Sequence, residues 1–194
     1  MRDYYHLHPE AYHEATFHID PSPFLRPLAG RLRPGAVILD VGCGSGRDLR
    51  WLRRRGYRAV GLERSPGLAR LARENAACEI LEADFTAFDF SSLSVDAILL
   101  VGAFVHVPHR DLPALLSRCT AALEPGGLVL ITLKEGEGQA TDDKGRTFSL
   151  WQDEALRAVF AGLGLRVLDF QRNESRLGTG EVWLGYVLGR EGAP

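Results

Sequence analysis

The fold is decided by residues 37–49, which run Val37-Ile38-Leu39-Asp40-Val41-Gly42-Cys43-Gly44-Ser45-Gly46-Arg47-Asp48-Leu49. An apolar run without alternation is typical of a strand buried on both faces, and this one leads into a glycine loop and then a helix. Glycines let the backbone turn tightly and approach a ligand, and the N-terminus of a following helix favours negative charge. The segment therefore predicts a ligand-binding turn at the carboxyl edge of a parallel sheet.

Further apolar runs recur along the chain at Ala59–Leu62, Ala97–Val101 and Leu128–Ile131. Helical patterns lie between them. One begins at Ser65-Pro66, an N-cap followed by proline, and another places Leu112, Leu115, Leu116, Cys119 and Leu123 on one face. Alternating strands and helices predict an α/β fold with a doubly wound, mostly parallel sheet.

The end of the chain departs from this alternation. Two final strands are expected at Leu165–Phe170 and Val182–Leu188, and the polar segment between them is too short for a crossover helix. We therefore expect an antiparallel hairpin. Glu135–Phe148, rich in Gly, Asp and Glu, is expected to be irregular, either as a disordered surface loop or as a functional loop at the ligand-binding edge.

Composition limits the class of protein. The chain has 194 residues, is 45% hydrophobic and 25% charged, and carries a formal charge of −2, which fits one globular domain and argues against a nucleic-acid partner. It contains no apolar run of about 18 residues and no apolar leader, so we expect a cytoplasmic protein with no membrane partner. Cys43, Cys78 and Cys119 form no CxxC pair and the histidines match no standard spacing, so no metal site is expected.

The spacing of acidic residues indicates the ligand. A dinucleotide fingerprint would need glycine where the chain has Arg47, so nicotinamide cofactors are disfavoured. Glu63 closes the second strand, where a carboxylate can accept hydrogen bonds from both ribose hydroxyls. Asp84 follows the third strand, and Phe85 beside it can pack against a flat ring. Acidic groups at three successive strand ends suit an adenosine that carries an ammonium group.

Five segments in order resemble the motifs of the class I S-adenosylmethionine-dependent methyltransferases: Val37–Asp48, Gly61–Ser65, Leu81–Phe85, Val95–Pro108 and Leu123–Leu130. The resemblance implies a Rossmann-like sheet of seven strands with the last strand antiparallel. It also implies S-adenosylmethionine as methyl donor, S-adenosylhomocysteine as product, and in-line transfer to an O, N or S atom of a small molecule. Residues 31–194 would form the methyltransferase domain and residues 1–30 an N-terminal helical lid.

The resemblance assigns roles to individual positions around the cofactor. Asp40 and the glycine loop would hold the methionine end, Glu63 the ribose and Asp84 the adenine amine. Arg64 would lie over the adenine, and Tyr12 would cover the sulfonium from the lid, where aromatic faces stabilise cations. The remaining cofactor-binding positions expected are Gly42, Cys43, Gly44, Gly46, Phe85, Val101 and Gly102.

Two residues are candidates for the chemistry on the acceptor. Methyl transfer needs a base only when the acceptor carries a proton that must leave. His106 follows the fourth strand and is either such a base or a packed, hydrogen-bonded histidine. Lys134 ends the fifth strand, and it either touches the substrate or is a solvated strand terminus.

Two other functions stay open. A cluster of arginines near a helix end leaves an RNA methyltransferase as one alternative, although a solvent-exposed helix face is the simpler explanation. The cluster consists of Arg50, Arg53, Arg54, Arg55 and Arg58. The fourth-strand motif also lacks the Asp/Asn-Pro-Pro-aromatic tetrad of amine-methylating nucleic-acid enzymes. The lack of an obligatory base leaves a non-catalytic S-adenosylmethionine-binding module as the other alternative. The acceptor is open, as is the choice between a monomer and a homodimer.

Overall fold

The structure is a computed structural model, and it describes residues 4–190. The strands are β1 Val37–Val41, β2 Arg58–Glu63, β3 Glu79–Glu82, β4 Val95–Val101, β5 Leu123–Glu135, β6 Gln139–Thr141, β7 Thr147–Trp151, β8 Leu165–Glu174 and β9 Val182–Arg190. The helices are α1 Tyr4–Leu7, α2 Pro9–Thr16, α3 Ser22–Ala29, α4 Arg47–Arg53, α5 Pro66–Ala76, α6 Leu112–Cys119 and α7 Asp153–Gly162. No helix in the described part of the chain is long and apolar enough to cross a bilayer.

The main sheet has the strand order β3-β2-β1-β4-β5-β9-β8. Strands β1 to β5 pair in parallel, β9 runs antiparallel to β5, and β8 runs antiparallel to β9. The Rossmann-like, seven-stranded sheet with an antiparallel last strand is therefore confirmed, as is the C-terminal hairpin. The order reverses between β1 and β4, and ligands of doubly wound sheets bind at such a reversal.

The segment Glu135–Phe148 is mostly ordered, so the expectation of a disordered surface loop was wrong, while its turn lies at the ligand-binding edge, as in the other alternative. Strands β6 and β7 form an antiparallel hairpin, and β7 joins β5 through only two residue pairs. The Oδ1 atom of Asp142 accepts hydrogen bonds from the backbone N–H groups of Lys144 and Arg146, at 3.0 and 2.9 Å. Gly145 supplies a φ of +73° in the same turn. Local turn chemistry of Asp and Gly thus orders a segment that has little apolar pattern.

Helices cover both faces of the sheet, as the apolar strands require. Leu25 of α3, Leu49 of α4 and Ala69 of α5 are buried on one face. Leu116 of α6 and Phe160 of α7 are buried on the other. The boundary expected at residue 30 stays a prediction, and α3, which precedes it, packs against the core through Leu25 and Leu28.

Local signals fix where helices begin. Ser65 caps α5, with Oγ accepting from the N–H of Leu68 at 3.5 Å, and Pro66 occupies the first helical position. Leu112, Leu115, Leu116 and Cys119 are buried on one face of α6, as predicted. Leu123 lies beyond the helix, at the start of β5, so the expected extension of the helical face to this residue was wrong.

Gly46 allows the glycine loop to enter α4. It adopts a φ of +84°, and a Cβ atom built on it would lie 2.9 Å from the Cα of Ala72 in α5. Both the backbone conformation and the close helix approach exclude a side chain here. The third glycine of the loop therefore sets the packing of α4 against α5.

We predict that Gly46→Ala destabilises the fold more than Gly56→Ala. Gly56 has nearly the same φ, +83°, but open space around the added Cβ, so it reports the backbone strain alone. We expect a loss of about 1–2 kcal/mol at Gly56 and about 2–4 kcal/mol at Gly46, where overpacking adds to the strain. Urea unfolding of both variants measures the difference, and equal losses would contradict a packing role for Gly46.

Candidate active site

A cavity of about 910 Å³ opens at the carboxyl edge of the parallel strands. The ends of β1 to β4 form its floor, and α1, α2, α6 and the β6–β7 turn form its walls. This volume lies near the upper end of the roughly 300–1,000 Å³ typical of small-molecule pockets. Predicted site residues that line the cavity are Tyr12, Gly42, Gly44, Glu63, Arg64, Asp84, Phe85, Val101, Gly102 and His106.

Glu63 ties the glycine loop to the next strand end. Its Oε2 accepts from the N–H of Gly44 at 3.0 Å, and its Oε1 accepts from the N–H of Ser65 at 2.8 Å. Burial raises the pKa of this carboxyl, and the hydrogen bonds from Ser65, Gly44 and Arg64 oppose that shift. Each oxygen keeps a lone pair, so Glu63 can still accept from a ligand hydroxyl.

Asp40 is the most deeply buried acid of the site, with 2% of its surface exposed. Its Oδ2 has no hydrogen-bond partner among the described residues. Burial, together with the nearby charge of Asp48, raises its pKa. Buried polar atoms are nearly always paired, so this oxygen indicates a donor supplied by a ligand or a water molecule.

Asp40 lies beside a smaller cavity of about 30 Å³, which shares Gly42, Gly44, Tyr12 and Val101 with the large one. Arg47 and Asp48 line this side cavity and form a two-point ion pair, with nitrogen–oxygen distances of 2.6 and 3.1 Å. From the sequence, Arg47 served only to disfavour a dinucleotide and was given no binding role; its signal is its position directly after the third glycine of the loop. The side cavity thus offers both an acceptor and a cation.

Cys43 and Gly46 play structural parts beneath the loop. Cys43 lines the side cavity, and its Sγ faces Gly61, where an added Cβ would lie 2.7 Å away. Burial raises the pKa of the Cys43 thiol well above its usual value. Gly46 lines neither cavity and packs against α5 instead.

Asp84, Arg64 and Phe85 stand together at the ends of β2 and β3. Asp84 lies 3.6 Å from a guanidinium nitrogen of Arg64, and its Oδ1 accepts from the N–H and the hydroxyl of Thr86 at 2.8 and 2.7 Å. Burial disfavours the charge of Asp84, but the bonds from Thr86 and the charge of Arg64 outweigh it and lower the pKa. The group therefore presents an ionised carboxylate beside the ring of Phe85.

The N-terminal helices lie over this edge of the sheet. Gly44 has a φ of +56°, and a Cβ atom on it would lie 3.3 Å from Cε1 of Tyr12, so a side chain here would strain the backbone and crowd this ring. Tyr12 meets Tyr5 edge to face, with centroids 5.1 Å apart, and the hydroxyl of Ser65 donates to the carbonyl of Tyr5 at 2.9 Å. The position of Tyr12 is compatible with the covering role that sequence resemblance implies.

His106 joins the N-terminal helices to the β6–β7 hairpin. Its Nδ1 lies 2.6 Å from the carbonyl oxygen of Thr147, which can only accept, so we assign the ring proton to Nδ1. The Nε2 of the neutral ring then accepts from the Tyr5 hydroxyl at 2.8 Å. Burial lowers the pKa of His106 and raises that of Tyr5, so both are neutral near pH 7.

The structure does not bring Lys134 to the cavity. Its Nζ pairs with Glu181 at 2.5 Å and lies 3.4 Å from the ring centroid of Phe148, and only 5% of the residue is exposed. The hairpin strand β7 and the start of β9 cover the end of β5. Lys134 is therefore neither a solvated terminus nor accessible to an acceptor in the cavity.

Much of the site lies in a segment that matches a known family model. A model described as a methyltransferase domain matches residues 38–127, from β1 into β5, and so includes the glycine loop, Glu63 and Asp84. In this segment the chain is similar to the class I S-adenosylmethionine-dependent methyltransferases. Members of this family use S-adenosylmethionine as methyl donor.

Curated methyltransferases match part of the length of the chain. It is 34% identical over 116 residues to malonyl-[acyl-carrier protein] O-methyltransferase of Serratia marcescens, which is 59% of this chain and 45% of that protein. It is 30% identical over 105 residues to ubiquinone biosynthesis O-methyltransferase of Xanthomonas campestris, which is 51% of this chain and 43% of that protein. The chain thus spans less than half the length of these two relatives.

A solved structure shows the same fold along nearly the whole chain. The 1,6-didemethyltoxoflavin-N1-methyltransferase of Burkholderia thailandensis, solved with 1,6-didemethyltoxoflavin and S-adenosylhomocysteine, superposes with a TM-score of 0.76 at 23% identity. The match covers 96% of this chain and 83% of that one. At this identity the likeness is one of fold.

The residues present fit the cofactor of the family. The glycine loop leaves space that Cβ atoms at Gly42 and Gly44 would fill. The Oδ2 atom of Asp40, which has no partner among the described residues, can accept a hydrogen bond from an ammonium group. Glu63 and Asp84 add acceptors at successive strand ends. These carboxylates are hydrogen-bond acceptors, and together they match a nucleoside that carries a positively charged amino acid.

We predict that His106 makes stability fall as the pH decreases. The pKa of His106 in the folded protein lies below its value of about 6.5 in the unfolded chain. As the pH falls below about 6.5, the unfolded chain therefore binds a proton more readily than the folded protein, and the unfolded state is stabilised. The unfolding free energy of the wild type should therefore decrease, relative to that of His106→Asn, as the pH is lowered from 7.5 to 5. Denaturant titrations at several pH values measure both unfolding free energies, and His18→Asn, at an exposed histidine, is the control. A difference between wild type and His106→Asn that does not change with pH would contradict the burial of a neutral His106.

Proposed function

We propose that this protein transfers a methyl group from S-adenosylmethionine to an O, N or S atom of a small molecule. The observation that carries the proposal is the unpaired, buried Asp40 oxygen beside a glycine loop fixed by Glu63. The large cavity continues beyond this corner to His106, which leaves room for a second molecule. The named activities of the relatives, on malonyl-[acyl-carrier protein] and in ubiquinone biosynthesis, are in keeping with an acceptor that is not a nucleic acid.

Named residues would hold the cofactor by their chemistry. Glu63 would accept from the ribose hydroxyls, and Asp84, Arg64 and Phe85 would surround the adenine. Asp40 and Arg47 would bind the ammonium and carboxylate of the methionine end, with the backbones of Val101 and Gly102 beside the ammonium. When bound, S-adenosylmethionine supplies an electrophilic methyl group on a sulfonium.

The protein's own task is to position the acceptor and exclude water. Holding two reactants in line can contribute about 7–11 kcal/mol toward lowering a barrier. Tyr12 and Tyr5 cover the cavity, and His106 presents a neutral imidazole at its wall. Where the acceptor carries a proton, Nε2 of His106 can take it once Tyr5 releases that atom. The cytoplasm is the proposed location, in keeping with three free cysteines.

Calorimetric titration with S-adenosylhomocysteine tests the cofactor, and turnover of labelled S-adenosylmethionine over phenol, amine, thiol and carboxylic acid acceptors tests the reaction. We expect micromolar binding of S-adenosylhomocysteine and none of NADH. Absence of binding would contradict the proposal. Binding without methyl transfer to any acceptor would favour the non-catalytic module instead.

We predict that Glu63→Gln weakens S-adenosylhomocysteine binding about 10- to 100-fold. The amide nitrogen cannot accept from Gly44 or Ser65, so the loop loses a charge-assisted bond worth roughly 1.5–3 kcal/mol and the ribose loses an acceptor. Glu82→Gln is the matched control, because Glu82 is exposed on the neighbouring strand and pairs with Arg73. Calorimetry on both folded variants decides the point, and equal affinities would remove Glu63 from the site.

A second prediction separates the two ends of the cofactor. Arg47→Met should weaken binding of S-adenosylhomocysteine about tenfold but leave 5′-methylthioadenosine, which lacks the amino acid, within twofold, because only the carboxylate loses a cationic partner. Arg54→Met, an exposed arginine at the end of the same helix, serves as control. A parallel loss for both ligands would indicate that Arg47 acts through folding of the loop.

A further inference from the structure

The half of the cavity away from the glycine loop has a distinct character. Its walls are Tyr4 and Tyr5 of α1, His106, and the turn from Lys144 to Thr147, while Leu115 of α6 adds an apolar side. We call this half the acceptor chamber. Its surfaces are mainly flat rings and aliphatic groups, which suit a planar molecule.

The turn brings two cations to this chamber, each over an aromatic ring. The guanidinium carbon of Arg146 lies 4.9 Å from the ring centroid of Tyr4, and Nζ of Lys144 lies 5.3 Å from the same centroid. Asp142 neutralises Arg146 through contacts of 2.7 and 2.6 Å. No carboxylate within residues 4–190 lies within 4.0 Å of Lys144 Nζ, so a positive charge remains unbalanced at the mouth of the chamber.

The other charged groups of the cavity do not cancel this excess. Glu63 and Asp84 stand at the cofactor end, and Asp111, the carboxylate on the α6 side, lies 3.6 Å from Arg110. Arg118 donates to the carbonyls of Thr86 and Phe88, so its positive charge lies at the Asp84 end of the cavity, near Asp89. Acids and arginines therefore lie together at the adenosine end, whereas the part of the lining from Lys144 to Thr147 carries cations and no carboxylate.

Resting on the proposed function, we propose that the methyl acceptor is a planar aromatic molecule with a carboxylate remote from the atom that is methylated. Tyr4, Tyr5 and Leu115 hold its plane, and Lys144 binds the carboxylate at the mouth, with Arg146 contributing to the local potential. The methylated atom then faces inward, toward His106. An acceptor with a cationic substituent is repelled from the same chamber.

Three probes of one shape test the charge preference: 2-naphthoate, neutral 2-naphthamide and cationic 2-naphthylmethylammonium. Each is titrated into the wild type, with and without saturating S-adenosylhomocysteine, by calorimetry and ligand-observed NMR. We expect 2-naphthoate to bind about fivefold more tightly than 2-naphthamide and the ammonium most weakly, a modest ratio because Lys144 is exposed. The preference should diminish between 50 and 500 mM NaCl, where screening is strong.

Variants locate the effect. Lys144→Met should abolish the preference for 2-naphthoate while leaving the affinities for 2-naphthamide and S-adenosylhomocysteine unchanged, and Lys144→Arg should keep it. Arg166→Met, which removes an exposed cation from β8, is the control for net charge. A shift in Arg166→Met equal to that in Lys144→Met would assign the preference to overall charge and overturn the proposal.

The remaining outcomes are also decisive. Equal or tighter binding of the neutral or cationic probe, or no binding of 2-naphthoate at 5 mM in either state, overturns the inferred acceptor class. Failure of the wild type to bind S-adenosylhomocysteine contradicts the proposed function instead. The Lys144-dependent preference in the protein without S-adenosylhomocysteine still tests the chamber in that case.

Discussion

The buried carboxylate of Glu63 is the contact on which the ligand edge depends. It bridges the N–H of Gly44, in the loop after β1, and the N–H of Ser65, at the start of α5. Two consecutive βα turns are thereby held at a fixed separation by one side chain. Because the carboxylate is buried, its bonds are stronger than they would be in water, and losing it would leave two backbone donors without partners.

A second junction closes the cavity from above. His106 contacts Tyr5 of α1 with one ring nitrogen and the Thr147 carbonyl of the hairpin with the other. Three segments that are far apart in sequence, around residues 5, 106 and 147, therefore meet at one imidazole. The hydrogen bonds fix its tautomer, which determines which nitrogen faces the cavity.

The sheet could be predicted from sequence because each strand is an apolar run and each turn carries its own glycine or capping signal. The positions of Glu63 and Asp84 followed from strand ends, which parallel topology brings to one edge. The environments of Lys134 and His106 could not be predicted, because they depend on β7, β9 and α1, which approach from distant parts of the chain. The β6–β7 hairpin was missed because its order comes from Asp142 and Gly145, not from apolar periodicity.

Among the described residues, β7 pairs with the main sheet only through Lys134–Leu150 and Glu135–Trp151, and the β6–β7 turn lies beyond these pairs. This turn can therefore lengthen, shorten or change sequence without shifting the register of any strand that carries the cofactor loop, since longer surface loops cost little entropy. The same turn supplies Lys144 and Arg146 to the cavity. Substitutions in this one surface turn can thus change the acceptor of such a protein during evolution without altering the residues that bind the cofactor.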